Sequence, residues 1–307
     1  MSQITSDLLL TTASLTVRDV HCDGRCRALS GEECAAATHL VFPYRGVFVR
    51  HLGSDQAVAE ANQVLFFNAG DGYRVSHPLA GGDASLDLVI DAAVLRELTP
   101  ATALQNRAEL AFREQRLRID PRAQLLTSRL RHRLRAGVAD PLEAEDLAFA
   151  LVQRSFGART THRASGGAAR RRLVDRTKLV LTSDLARRWT LAEIAAEVGG
   201  SPVYLTQVFR QVEGVPLSRY QLRLRLARAL DLLAEHDDLT TLGLDLGFSS
   251  HSHFSAAFRQ TYGLTPSQFR NATKIRHVAP SVLLHSFPSR TKDPDSDAFH
   301  PQGLLTH

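Results

Sequence analysis

The chain reads TLAEIAAEVGGSPVYLTQVFRQVEGVP at residues 190–216 and DLTTLGLDLGFSSHSHFSAAFRQTYGLTP at residues 238–266. The second stretch repeats the first. Phe209 pairs with Phe258 at an offset of 49 residues, and the turn glycine before it pairs with its counterpart at an offset of 48. Unrelated solvated helices do not keep turn glycines and buried aromatic residues in register, so the sequence contains a duplicated structural unit.

Each copy has the parts of a helix-turn-helix. Thr190 followed by Glu193 predicts a capping box at the start of a first helix. Gly199 supplies the positive φ that ends this helix. Ser201 is then the N-cap of a second helix, and Pro202 fits its first turn. The same order of signals recurs in the second copy.

The second helix of each copy has one apolar side and one exposed side. Leu205 and Phe209 are four residues apart in the first copy, and residues so spaced share one helix face. Phe254 and Phe258 repeat this spacing in the second copy. The opposite faces then carry Val203, Thr206, Gln207 and Arg210 in the first copy and His251, Ser252, Ser255 and Arg259 in the second.

A leucine-striped segment, residues 216–236, joins the two copies. As a helix of about 18 residues it spans about 27 Å. A rigid spacer of that size can hold two recognition helices about one DNA turn apart, ~34 Å, on one face of a duplex. Its exposed Arg223 and Arg228 would then contact phosphates rather than bases.

Residues 171–272 closely resemble the DNA-binding domain of the AraC/XylS family of bacterial transcription regulators. The resemblance rests on LAEIAAEVGGSPVYLTQVFR, RYQLRLRLARALDLL and DLGFSSHSHFSAAFRQTYGLTPSQFR. It implies that the second helix of each unit enters successive major grooves of double-stranded DNA. The implied base contacts are Val203, Thr206, Gln207, His251, Ser252, Ser255 and Ala256. The implied phosphate contacts are Tyr204, Arg210, Arg223, Arg228 and Arg259.

Two residues depart from the family pattern. Ala256 stands where the family often has Arg, and a bidentate Arg–guanine contact is worth ~1–3 kcal/mol of discrimination. Base reading by the second unit is therefore expected to be thinner. Gly243 stands where the family usually has Ala, which costs the first helix of that unit roughly 1 kcal/mol.

The N-terminal part reads as short strands. Residues 39–51, 63–70 and 84–91 are rich in Val, Phe, Leu and Ile and are separated by Gly and Asp clusters. This pattern predicts an antiparallel sandwich or small barrel. The stretch FFNAGDGYRVSHPLAGGD, residues 66–83, resembles less specifically the cupin-like sensor domains that precede this DNA-binding domain in many family members.

The predicted fold is therefore α+β and multidomain. A cupin-like antiparallel β barrel with flanking helices is followed by an all-α domain of two helix-turn-helix units joined by a long helix. The helical signals at 120–137 and 140–156 pack on the barrel or pair with a second subunit; the sequence favours neither. The predicted boundaries are 1–156 for the sensor and dimerisation domain, 157–170 for a linker, 171–272 for the DNA-binding domain and 273–307 for a disordered tail.

The distribution of charge along the chain indicates a polyanionic partner. The formal net charge is +5, and residues 171–276 hold 15 Lys and Arg against 10 Asp and Glu, so the whole excess lies there. A localised basic excess is typical of nucleic-acid binding. The start of the chain has no basic residue before Arg18 and no apolar run approaches membrane length, so we expect a cytoplasmic protein without a membrane partner.

The sequence also leaves an alternative, a metal-dependent cupin enzyme or a metal or redox sensor. Thiol side chains at positions 22, 26 and 34 could bind a thiophilic metal or sense oxidants, although their spacing lacks the paired C-x2-C of a convincing zinc site. These candidates are Cys22, Cys26 and Cys34. His39, His51 and His77 are scattered singly and read as structural or surface residues. His251 and His253 form the one H-x-H pair. Residues two apart on a helix project to nearly opposite sides, so these two imidazoles do not easily share a metal ion.

The favoured interpretation is a sequence-specific DNA-binding transcription regulator of the activator type rather than an enzyme. The resemblance implies a homodimer, contact with RNA polymerase and control by a small-molecule effector through the N-terminal domain. We expect no cofactor and no metal.

Overall fold

Ten antiparallel strands form the first part of the chain, within a computed structural model that describes residues 4–25, 27–106, 109–157 and 167–273. They are β1 (Ile4–Thr11), β2 (Leu15–Cys22), β3 (Glu33–Cys34), β4 (His39–Arg45), β5 (Phe48–Leu52), β6 (Asp55–Ala59), β7 (Gln63–Phe67), β8 (Gly72–Ser76), β9 (Asp83–Ile90) and β10 (Arg116–Arg118).

The strands form two sheets. One has six strands in the order β1-β2-β9-β4-β7-β10, and the other has four in the order β3-β8-β5-β6. Strand alternation builds two cores: Leu40 and Phe42 of β4 face the helices that follow the strands, whereas Val41 between them faces the second sheet. The predicted antiparallel sandwich is confirmed.

The segment 39–51, predicted as one strand region, divides at Gly46. This residue has φ 65°, and a Cβ there would lie 2.0 Å from the carbonyl oxygen of Gly82. Only glycine permits both the left-handed backbone and this close approach. The chain therefore turns a corner, and β4 joins the six-stranded sheet while β5 joins the four-stranded one.

Helices make up most of the rest. They are α1 (Ala92–Leu98), α2 (Pro121–Arg135), α3 (Pro141–Ser155), α4 (Ala168–Ser183), α5 (Leu191–Val198), α6 (Pro202–Glu213), α7 (Leu217–Leu232), α8 (Leu239–Asp245), α9 (His251–Tyr262) and α10 (Pro266–Thr273). The α+β class is as predicted, and α4 begins within the stretch predicted as a linker.

The start of α3 agrees in part with the sequence. Asp140 is the N-cap and accepts from the Glu143 backbone N–H, with Pro141 in the first turn. The Glu143 carboxylate, expected to complete a capping box, instead accepts a 2.7 Å hydrogen bond from Arg133. The charge-assisted bond to a guanidinium is the stronger of the two options.

Helix α2 packs against the helical part of the chain. Leu125 belongs to the same apolar cluster as Phe254, Phe258 and Leu230. The basic face of α2 is buried in its centre, where Arg131 is 4% exposed. Within the chain this helix packs on the sandwich on one side and on the second helix-turn-helix unit and α7 on the other, while pairing with a second subunit stays a prediction.

Helix α7 links two small cores. Its first half, with Tyr220 and Leu224, packs on α4, α5 and α6. Its second half, with Leu226, Leu230 and Leu233, packs on α8, α9 and α10. Of the four leucines in the predicted stripe, Leu226, Leu230 and Leu233 are buried and Leu222 is half-buried, because each half of the segment covers one helix-turn-helix unit.

The predicted tail beyond residue 273 and most of the predicted linker, residues 158–166, lie outside the described residues, as does Cys26. No helix in the described ranges is both long and apolar enough to cross a membrane.

Candidate nucleic-acid interface

The two helix-turn-helix units have the same register as the sequence repeat. Helices α5 and α8 begin 48 residues apart, at Leu191 and Leu239. Helices α6 and α9 begin after Ser201 and Ser250, and each serine accepts from the backbone N–H three residues on. The predicted caps are confirmed, including the reciprocal box of Thr190 in the first unit. The duplication is therefore structural as well as compositional.

The turn glycines adopt the left-handed conformation in both units. Gly199 has φ 71° and Gly247 has φ 81°. Their surroundings differ, because a Cβ at Gly199 would meet open space whereas one at Gly247 would lie 2.3 Å from the Ala186 carbonyl oxygen. The second turn is thus packed against the loop that follows α4.

The buried side of each second helix is the predicted one. Leu205 and Phe209 in α6, and Phe254 and Phe258 in α9, have no exposed surface. In the second unit a Cβ at Gly243 would come within 3.1 to 3.3 Å of Phe254. The departure from the family pattern at Gly243 therefore makes room for an aromatic ring.

The outer face of α6 is free to meet a partner. Val203 is 67% exposed and Tyr204 47%. Thr206 and Gln207 are also exposed. The Thr206 hydroxyl donates to the Val203 carbonyl 2.8 Å away, which leaves its oxygen able to accept from a base edge. This face presents hydrogen-bonding groups and a methyl surface of the kind that read the major groove.

The outer face of α9 carries smaller side chains than the outer face of α6 does. His251, Ser252 and Ala256 are exposed and Ser255 is half-buried. His251 Nε2 lies 3.3 Å from the Ser255 hydroxyl. His253 instead pairs through Nδ1 with Ser249, 3.0 Å away. Each imidazole thus has its own serine partner.

The arginines predicted to contact phosphate fall into two groups. Arg210 and Arg259 are exposed in the last turns of α6 and α9. Arg223 and Arg228 lie on α7 and are half-buried. Burial, with neighbouring Arg118 and Arg219, lowers the pKa of Arg223, and Arg228 is bound to Asp231. Arg228 is therefore engaged within the chain, whereas Arg223 is half-buried beside two other guanidinium groups.

Asp231 of α7 is the centre of a buried ion cluster. Its carboxylate accepts from Arg45 of β4 at 2.9 Å and from Arg131 of α2 at 2.6 Å. Burial acts to raise its pKa, but the Arg45 hydrogen bonds and the charge of Arg131 outweigh burial and the pKa is lowered. This carboxylate joins the sandwich, α2 and the helix between the two units.

A second buried cluster joins the first unit to the sandwich. The Tyr220 hydroxyl of α7 donates to Glu60, in the turn between β6 and β7. Lys178 of α4 is fully buried, and its Nζ lies 2.6 Å from Glu213 at the end of α6. Burial raises the pKa of Glu60 to about 7, although the charge of Lys178 opposes the shift.

Sequence reasoning missed these contacts. The signal for Glu60 was present, since an acidic residue stands in the otherwise apolar run VAEANQVLFF, and carboxylates are seldom buried without a partner. No comparable signal marks Asp231, which lies among other charged residues of a helix. Its burial depends on β4 and α2, which are distant in the sequence.

The remaining candidate residues lie in the sandwich. His39 stacks on Phe67 and bonds to the Ala37 carbonyl, and burial lowers its pKa. His51 bonds to Ser76. Cys34 is exposed and Cys22 is buried. Of the thiols named in the alternative metal or redox interpretation, Cys34 thus lies at the surface and Cys22 in the core.

Comparison with known proteins adds to the geometry. A family model described as a helix-turn-helix domain matches residues 167–272. The transcriptional regulator GadX of Escherichia coli is 32% identical over 34% of this chain and 39% of its own length. The transcriptional regulator ArgR of Pseudomonas aeruginosa is 37% identical over 30% of this chain and 29% of its own. The chain thus spans less than half the length of these relatives.

A crystal structure of an AraC-type DNA-binding regulator from Chromobacterium violaceum is also similar. It is 30% identical, covers 36% of this chain and 98% of its own, and has a TM-score of 0.34. The sequence likeness to these proteins is confined to about a third of the chain, which contains both units.

Proposed function

The chain belongs to the AraC/XylS family of regulators through its helix-turn-helix domain, and we propose that it is a sequence-specific DNA-binding transcription regulator rather than an enzyme. The observation that carries the proposal is the duplicated unit, built twice with the same caps and with one outward face each on α6 and α9. Two such helices fit successive major grooves of double-stranded DNA.

Base reading is unequal in this proposal. Val203, Thr206 and Gln207 read bases from α6, where an amide can bond bidentately to adenine. His251, Ser252, Ser255 and Ala256 face the second groove from α9, and Ala256 brings no hydrogen-bonding group. Tyr204, Arg210 and Arg259 bind phosphates and set the register.

Arg223 and Arg228 contact phosphates from α7 in this proposal. Arg223 is half-buried, and Arg228 is bound to Asp231 and reaches a phosphate only after that ion pair opens. A change in the Asp231 cluster would release Arg228 for the DNA backbone. The contact between the sandwich and α7 is thereby a point at which the N-terminal part controls DNA binding.

A cleft offers a place for a small effector. It measures about 840 Å³ and is lined by Arg116 and Arg118 of β10, by Arg171 of α4 and by Glu213 of α6. Ligand sites favour such boundaries between structural parts. Four arginines and three acidic residues line the cleft, a small positive excess that suits an effector with an anionic group, and a ligand there would contact the end of the first recognition helix.

The remaining partners follow from the family. We propose a homodimer formed through the N-terminal part, contact with RNA polymerase at activated promoters, and action in the cytoplasm where the DNA is. The domain boundaries proposed with these roles are those predicted from the sequence, 1–156, 157–170, 171–272 and 273–307.

Selection of genomic DNA fragments by the purified full-length protein tests this function. The expected result is one shared motif about two helical turns long. Gln207→Ala should relax one half of the motif and Ser252→Ala the other, because each removes a base contact worth about 1–3 kcal/mol. Genes beside the selected fragments would then indicate the effector.

Matched controls are Gln153→Ala on α3 and Ser267→Ala on α10, which remove the same chemical groups from exposed positions outside α6 and α9. Both should leave the motif unchanged. Salt-dependent binding with no motif, or a motif that the two recognition-helix variants do not alter, would contradict the proposed base reading.

A further inference from the structure

One cluster of metal-ligating side chains lies away from the helix-turn-helix units. Donor atoms of Cys22, His77 and Asp83 all lie within 4.8 Å of one another, and they form the one such group of three in the described ranges. Cys22 ends β2 and Asp83 begins β9, while His77 follows β8 in the other sheet. The three ligands thus converge from both sheets at one edge of the sandwich.

Strand pairing places two of the ligands side by side. Cys22 and Asp83 are direct partners in the antiparallel pair of β2 and β9. Residues directly opposite each other in such a pair project to the same face of the sheet, about 5 Å apart at Cβ. The thiol and the carboxylate therefore share one small volume by virtue of the fold.

The third ligand closes the site. His77 Nε2 lies 3.0 Å from Asp83 Oδ2, and both side chains are about nine-tenths buried. Although this imidazole lies within ion-pair distance, Asp83 Oδ2 makes no hydrogen bond of regular geometry among the described residues. A bound cation would satisfy the buried carboxylate oxygen and coordinate the facing imidazole nitrogen at the same time.

Two glycines hold the ligands in place. Gly24 and Gly82 have φ 65° and 70°, and a Cβ at Gly82 would lie 2.3 Å from the Cys22 carbonyl oxygen. A Cβ at Gly24 would lie 2.7 Å from the Gly82 nitrogen. The turns after Cys22 and before Asp83 are therefore pressed together, and ligands on such constrained backbone lose little freedom on binding.

We propose that Cys22, His77 and Asp83 bind one divalent thiophilic cation of the Zn²⁺ class. A thiolate, an imidazole and a carboxylate are its three usual protein ligands, and three of them leave a fourth position open. Cys22 and Asp83 also line a surface pocket together with His21 and Arg45, which gives solvent access to the site. Binding displaces the thiol proton of Cys22 to solvent. The sequence-based expectation of no metal did not include this set.

Cobalt titration of the full-length protein, first dialysed against a chelator, tests the site. One equivalent of Co²⁺ should bind and give a thiolate-to-cobalt charge-transfer band in the near ultraviolet, and Zn²⁺ should displace it. Cys22→Ser should abolish the band. Cys34→Ser and His51→Gln, which remove a cysteine and a histidine elsewhere in the sandwich, should leave both the band and the stoichiometry intact.

Affinity for Zn²⁺ gives an independent measure. His77→Gln and Asp83→Asn should each weaken binding at least tenfold, and Zn²⁺ should raise the Tm of the wild type but not of these variants. Circular dichroism of the metal-free proteins checks their folding. Absence of the charge-transfer band in the wild type overturns the proposal, as do a band retained in Cys22→Ser and unchanged affinity in folded His77→Gln. None of these readouts involves DNA.

Discussion

The two helix-turn-helix units share one backbone arrangement, but different side chains fill the contact between the first and second helix of each unit. In the first, Ala195 lies in the position that Gly243 takes in the second, and Leu205 matches the larger Phe254. A small residue on one helix thus compensates for a large one on the facing helix. The duplicated plan tolerates such exchanges provided that the total volume is kept.

The units also differ in how they are attached to the sandwich and its helices. The first is held by buried charged and polar groups, with Arg116 of β10 on Asp175 of α4 and Tyr220 on Glu60. The second shares an apolar cluster with Leu125 of α2. Ionic contacts respond to charge and pH whereas apolar contacts do not. The first attachment is therefore the better suited to regulation.

Among the substitutions that distinguish the two units, Lys178→Met should lower the free energy of unfolding the most. It leaves Glu213 buried without its cation, which costs about 3–5 kcal/mol of unfolding free energy. Lys178→Met combined with Glu213→Met should recover most of the loss. Urea unfolding of the full-length protein measures both, with Arg129→Met at an exposed site of α2 as the control. A cost below about 1 kcal/mol for Lys178→Met would show that this buried pair does not stabilise the first unit.

The second-largest effect should be a difference in stability between alanine substitutions at the two turn glycines, Gly247 and Gly199. Gly247→Ala should cost roughly 3 kcal/mol, since a left-handed backbone costs about 1–2 kcal/mol and the clash with Ala186 adds to it. Gly199→Ala meets open space and should cost about 1 kcal/mol, from backbone strain alone. Thermal and urea unfolding compare the two directly. Equal losses would mean that the second turn is not packed as described.

Stability should fall as the pH rises through the range where Glu60 ionises. Its pKa in the folded protein is about 7, above the value near 4.3 of an unfolded chain, so the folded state holds the proton longer. The stabilising contribution is complete below about pH 4.3 and is lost by about pH 7, on the order of 3–4 kcal/mol.

Glu60→Gln should flatten this part of the profile without removing it, because burial also raises the pKa of Asp87 to about 7. Asp87→Asn, in β9 and away from the first unit, is the matched control and should leave the Glu60 part in place. Urea unfolding between pH 5 and 8 measures the slopes. A slope unchanged by Glu60→Gln would show that the carboxyl is solvated rather than buried.

The smallest expected effect on stability concerns the compensation in side-chain volume between Gly243 and Phe254 in the second unit. Gly243→Ala should cost about 1 kcal/mol, because the clash with Phe254 outweighs the gain in helix propensity. In a Phe254→Leu background, which reproduces the first unit, the same change should cost less or become stabilising. A double-mutant cycle gives the coupling energy. Coupling below about 0.3 kcal/mol would mean that the two residues do not compensate for each other.

Local signals explain what the sequence predicted well. Caps, turn glycines and the spacing of buried residues act within one helix or turn, so Thr190, Ser201 and Phe258 could be assigned roles without a fold. The antiparallel sandwich followed from alternation for the same reason. These features needed no knowledge of which segments meet.

Long-range contacts explain what could not be predicted. The burial of Arg131 within the basic face of α2 could not be predicted, because nothing near it in the sequence indicates a buried partner. Its partner, Asp231, is 100 residues away. The grouping of Cys22 with His77 and Asp83 likewise depends on the register of β2 and β9 and on the second sheet. The outer residues of α6 and α9 could be listed from periodicity, whereas the engagement of Arg228 could not.

The central claim, two recognition helices reading successive grooves from one chain, is tested most directly by hydroxyl-radical footprinting of the full-length protein on its selected site. Two protected patches about one helical turn apart on one face of the duplex are expected. Gln207→Glu should remove one patch and Ser252→Glu the other, since a carboxylate repels the DNA. A single patch, or two patches lost together in either variant, would contradict independent reading by the two units.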